Sequence, residues 1–140
     1  MRYVCDAPGD ATWFRIETEA EAERESALMQ HAVEKFFRRE KEKAERSYQP
    51  TSPNYIERDI GLKAHVQRSM PLFLTLRDRD GAGLATAMLP PAGTDGEDFR
   101  IIIVGPKNAD PYSEQGAAIE ALGRRFGLTL DRENCYPYRS

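Results

Sequence analysis

"PLFLTLRDRDGAGLATAMLPP", residues 71–91, decides how this chain folds. Leu72, Leu74 and Leu76 alternate with Phe73, Thr75 and Arg77, the period of two that marks a strand with a buried face. The turn-forming run "DRDGAG" follows, and Gly81 and Gly83 tolerate the positive φ that a reversal needs. Leu84 to Leu89 then returns, which makes a β-hairpin. The N-terminus repeats the arrangement. Residues 2–6 form a short strand, "APGD" supplies turn chemistry, and "TWFRI" alternates, with Phe14 and Ile16 on one face and Trp13 and Arg15 on the other. Two hairpins argue against a doubly wound parallel sheet, whose strands are joined by helical crossovers.

Helical segments surround these hairpins. From Glu19 to Arg46 there is neither Gly nor Pro, and good helix formers dominate. Thr18 and Glu21 have capping-box spacing. Glutamates crowd the start and cations the end, as the helix dipole favours. One long helix over about 19–46 is expected, with Met29, Ala32, Val33, Phe36 and Phe37 as its buried stripe. Pro50 and Pro53 end it. Residues 55–70 stay open between a helix over about Asp59–Ser69, favoured by Leu62, Val66 and Met70, and a strand over Tyr55–Leu62. Gly61 is unfavourable inside a helix.

The C-terminal third begins with "PPAGTDGED", a mobile loop by composition. "FRIIIV" is near-continuously apolar and β-branched, as for an interior strand covered on both faces. A shorter helix over about 111–126 follows, with Asp110 as N-cap, Pro111 at its first position and Gly127 as C-cap. "LTL" adds a candidate final strand. The expected fold is a single α+β domain over residues 1–140, an antiparallel or mixed sheet of about five to six strands packed on the two helices.

Composition bounds the function. A chain of 140 residues with 40% hydrophobic and 31% charged residues buries enough surface to fold without metal or disulfide. A net charge of −3 argues against a surface built throughout for nucleic acid or anionic lipid. The N-terminus has no signal-peptide core and no apolar run approaches membrane-helix length, so a cytoplasmic location is the expectation. Cys5 and Cys135 read as free thiols outside any CxxC pair, and neither a metal site nor a cofactor is expected.

The strand-loop-helix order of "IIIVGPKNADPYSEQG", residues 101–116, resembles a phosphate loop only in outline. Pro106 removes a backbone donor and Asp110 occupies the helix N-terminus. A small-ligand or enzymatic pocket near the 90–99 and 105–113 loops would use Asp59, His65, Lys107, Asn108 and Asp110. His31, His65 and Cys135 have no marked catalytic neighbours. The basic end of the long helix, "FFRREKEKAER", mixes five cations with three glutamates, a weak pattern for nucleic acid. Tyr, Trp and Arg are the side chains that anchor protein interfaces. Trp13, Arg15, Arg38, Arg39, Tyr136 and Tyr138 are therefore the candidate interaction residues. The leading expectation is a non-enzymatic module that binds another protein or itself.

Overall fold

The computed structural model describes residues 1–94 and 97–137, and the fold is α+β. Six strands form one mixed sheet in chain order: β1 (Arg2–Ala7), β2 (Ala11–Arg15), β3 (Leu72–Arg77), β4 (Gly83–Leu89), β5 (Ile101–Val104) and β6 (Cys135–Tyr136). All neighbours are antiparallel except β5 and β6, which are parallel. Both expected hairpins are present. The last strand is Cys135–Tyr136, whereas residues 128–130 lie outside any strand and pack Leu128 and Leu130 against the core. Residues 95 and 96 of the loop expected to be mobile lie outside the described residues.

The sheet has two covered faces of different character. Trp13, Leu72, Leu74, Leu76, Ala87 and Ile103 form the larger core with Ala118, Ile119 and Leu122. These last three belong to α4 (Tyr112–Phe126), which begins one residue later than the expected bound and ends on Gly127 at φ 68°. The opposite face carries Ile16 and Phe73, which pack with Ala22, Val33, Phe37 and Ala44 from the N-terminal helices. Phe37 meets Phe73 edge to face at 5.2 Å, the arrangement aromatic quadrupoles favour.

The single long helix over 19–46 is not formed. The segment divides into α1 (Glu19–Met29) and α2 (Val33–Arg46), folded back on each other as a helical hairpin. Gln30 adopts the left-handed conformation at φ 54°, and the N–H groups of Gln30 and His31 both donate to the Ser26 carbonyl. That is a left-handed helix ending made without glycine. The Ser26 hydroxyl then accepts from Glu34 N at 2.9 Å and caps α2, so one residue stops the first helix and starts the second. The hairpin is fastened by exposed pairs, Arg38 with Glu19 and Glu23 and Lys41 with Glu19. The Thr18–Glu21 capping box forms as expected.

The reversal has a packing cause. A straight helix of this length spans about 40 Å, too long for one sheet face to cover. Folding back lets Met29, Val33 and Phe37 all bury on the sheet. Gly83 admits this close approach, since a Cβ there would collide with the Met29 thioether.

Residues 55–69 are helical: α3 (Tyr55–Ser69) is capped by Asn54, whose side chain accepts from Glu57 N at 3.0 Å. Gly61 is tolerated because it lies against the Tyr48 ring, where a Cβ would meet the hydroxyl. None of the residues of α3 is buried. No helix among the described residues is long and apolar enough to cross a membrane.

Candidate docking surface on the open sheet face

The α1–α2 corner carries His31 over the sheet and closes a buried polar chain beneath it. Glu25 is fully buried on α1. Arg77 Nη2 donates to its Oε1 at 2.5 Å, and Thr86 Oγ1 donates to its Oε2 at 2.6 Å. Arg77 Nε donates to buried Thr75 at 3.0 Å. His31 Nε2 lies 2.8 Å from the same Thr86 hydroxyl. A hydroxyl has one proton, and Glu25 takes it, so His31 must donate from Nε2. Its Nδ1 is then an acceptor, which fits the 3.4 Å approach of Val33 N. Each donor therefore meets an acceptor, and among the described residues no buried side-chain N or O lacks a partner.

This arrangement favours neutral His31. Burial pulls its pKa below the ordinary imidazole value, with the Glu25 charge opposing only in part. The unfolded chain binds a proton near pH 6.5, whereas the fold resists it. The neutral form's contribution is therefore complete above that pH and is lost as pH falls through the window below it. Urea midpoints measured at pH 7.5, 6.5 and 5.5 should fall more steeply for the native chain than for His31→Gln. Equal slopes would contradict this assignment of the proton.

Beside His31 the sheet opens. Phe73, Met88, Ile102 and Tyr136 are register partners across β3, β4, β5 and β6, so they share one face. The row runs out from under its helical cover: Phe73 is 1% exposed beneath Phe37, Ile102 is half-buried, and Tyr136 is 42% exposed. An interior strand covered on both faces is thus only partly realised in β5. Between the row and α2 lies a slot of about 160 Å³, walled by Val33 and Phe36 on one side and Asn108 on the other. Its volume suits an apolar side chain better than a metabolite, whose pockets are typically about 300–1,000 Å³. Two arginines flank the surface by stacking on its aromatics. Arg39 lies 4.9 Å over Phe36 and Arg100 lies 5.0 Å over Tyr136.

The sequence candidates are dispersed around the molecule. Lys107 and Asn108 sit on a 3-10 turn over Pro106–Asn108, both left-handed at φ 58° and 59°. Lys107 is exposed at its tip, and Asn108 enters the slot wall. Asp110 turns to α4 instead: its Oδ1 accepts from Tyr112 N at 2.9 Å and its Oδ2 from Arg132 at 2.5 Å. These contacts hold its carboxyl below the usual range, the Tyr112 N–H foremost. His65 lies on α3, 2.8 Å from Ser47 Oγ and against the Tyr48 ring. The Ser47 proton goes to the Ala44 carbonyl, so His65 Nε2 is the donor and fastens α3 to the end of α2. The expected pocket shared by Asp59, His65, Lys107 and Asp110 is not assembled.

Trp13 requires a correction as an interaction residue. It is wholly buried, and its Nε1–H donates to the Ala118 carbonyl at 2.9 Å. Strand alternation put it opposite Phe14 and Ile16, but both faces of the sheet are cores. Arg15 is half-buried and donates to the Gln67 carbonyl at 3.1 Å. Arg38 is engaged with α1, leaving Arg39 and Tyr136 on the candidate surface. Tyr138 lies outside the described residues. Met88 and Ile102 were missed, because strand pairing places them and no local sequence signal reveals that pairing. Phe36 and Ala32, expected on the buried stripe of the long helix, are exposed instead, because only Val33 and Phe37 of that turn of α2 face the sheet.

Two other recesses offer less. One of about 830 Å³ is an open trough between α4 and residues 127–133, where Arg124 pairs with Glu120. One of about 340 Å³ separates α2 from α3, with Lys41 and Lys63 offset by Glu45 and Asp59. Burial pushes the Cys135 thiol up, away from the reactive thiolate. Among the described residues no three His, Cys, Asp or Glu side chains gather as a metal site. No protein-family model, curated protein or solved structure matches this chain.

Proposed function

We propose that this protein is a non-enzymatic binding module that seats a segment of a partner protein on the open sheet face. The in-register row from Phe73 to Tyr136 supports this reading, because it carries an apolar surface from a filled core into solvent. The slot beside it takes one apolar anchor. Tyr, Phe and Arg at its margins are the residue types that dominate interface energies. Arg39, Arg100 and Lys107 are exposed around it and give its margin a positive charge. The matching segment is apolar with acidic flanks. Nucleic acid is disfavoured as the occupant, because Arg38 and Lys41 of the basic helix end pair back onto α1.

A displayed-peptide selection tests this, using the Phe36→Asp/Tyr136→Asp chain as counter-target. Both positions are exposed, so the substitutions should leave the fold intact. Enriched segments should combine an apolar anchor with acids and lose affinity by about 30-fold or more on the double variant, the scale of two hot-spot losses. Enrichment that ignores the double variant would refute the surface.

A further inference from the structure

We infer that α3 is the self-association element of this protein and that its occupant is a second copy, laid antiparallel across a two-fold axis. This rests on a different surface from the sheet row and stands independently of it. α3 is capped and complete, yet it has no buried residue. A helix of this length is marginal alone in water and depends on packing. On its inner side it meets α2 through Gly61 and His65, and the 340 Å³ cleft lies beneath the rest. Its outer side shows Ile56 at 67% and Ile60 at 62% exposure. At about 100° per residue, Ile56, Ile60 and Ala64 fall within about 80° of one another. Three apolar side chains at i, i+4 and i+8 form the seam by which helices pair.

Charge identifies the occupant. Glu57 and Asp59 lie in the first half of α3, and Lys63 and Arg68 in the second. Arg58 falls about 160° round the helix from Ile60, and Asp59 about 100°, on the side of the cleft, so Glu57, Lys63 and Arg68 flank the seam most closely. An antiparallel copy sets each acidic half on a basic half and opposes the helix dipoles favourably. A parallel copy sets like on like. The internal Asp59–Lys63 pair at 3.1 Å is exposed on both sides and weak enough to yield to such partners. The contact is self-complementary, as a two-fold interface requires.

The full chain should scatter light in solution with twice the mass of one chain. Ile60→Lys should weaken dimerisation by about 30-fold or more while leaving the circular dichroism unchanged. The variants Glu57→Lys/Asp59→Lys and Lys63→Glu/Arg68→Glu should each be monomeric alone and pair when mixed. Under oxidation, Ile60→Cys should cross-link to its copy near the two-fold axis. Tyr55→Cys should not, because antiparallel packing sends the two N-termini to opposite ends. A monomer at all concentrations, a dimer indifferent to Ile60→Lys, or efficient Tyr55→Cys cross-linking would each overturn the assignment. A dimer that persists in Ile60→Lys but dissolves in Phe36→Asp/Tyr136→Asp would transfer self-association to the sheet row.

Discussion

Replacing Arg77 with alanine should destabilise the protein by about 3–5 kcal/mol, the cost of leaving a buried charge without its partner. Glu25 is fully buried, and its carboxylate accepts from Arg77 on one oxygen and Thr86 on the other. Removing the guanidinium strands that charge beneath α1 and also takes a donor from Thr75. The pair itself need not stabilise the fold relative to an apolar pair, because desolvating both ions is costly. Glu25→Leu/Arg77→Leu should therefore be more stable than Arg77→Ala, although it removes more polar groups. Urea unfolding of the two variants checks this. If the double variant is the less stable of the two, the network holds the helical hairpin by more than charge compensation.

Trp13→Ala should cost a similar amount, about 3–5 kcal/mol, through the cavity left by the largest side chain of the core. Trp13 is completely buried between the β1–β2 hairpin and α4, so little can collapse into its space. Trp13→Phe separates two contributions. It keeps most of the packing but drops the N–H donated to Ala118, a bond worth about 0.5–1.5 kcal/mol. The Ala118 carbonyl keeps its helical partner, so Phe should fall well short of Ala. Circular dichroism must follow these variants, since Trp13 is the chain's one tryptophan. A Trp13→Ala loss under 1 kcal/mol would place this residue at a surface after all.

The two hairpins, the C-terminal helix and the capping box were legible because each is written in local chemistry: alternation, turn glycines, Asp110, Gly127, Thr18 with Glu21. The division of the long helix was not. Gln30 carries no signal for a left-handed ending, and Ser26 acts through a contact eight residues away. The buried Glu25 looked like any other acid in a charged helix, because its partners lie 52 and 61 residues distant. The site was less legible than the fold. Arg39, Asn108 and Tyr136 could be singled out as types that bind, but register across four strands brings Tyr136 to the row, and α2 and the 3-10 turn bring Arg39 and Asn108 beside it. Trp13 was misread for the same reason, since alternation separates the faces of a strand without saying that both are covered.

The most direct test of the docking surface is an amide shift map of the ¹⁵N-labelled chain titrated with a selected apolar-acidic segment. The proposal predicts saturable shifts confined to Phe36, Arg39, Met88, Ile102, Asn108, Tyr136 and their neighbours, abolished in Phe36→Asp/Tyr136→Asp. Saturable shifts centred on α3 or the α4 trough, with the row silent, would contradict it.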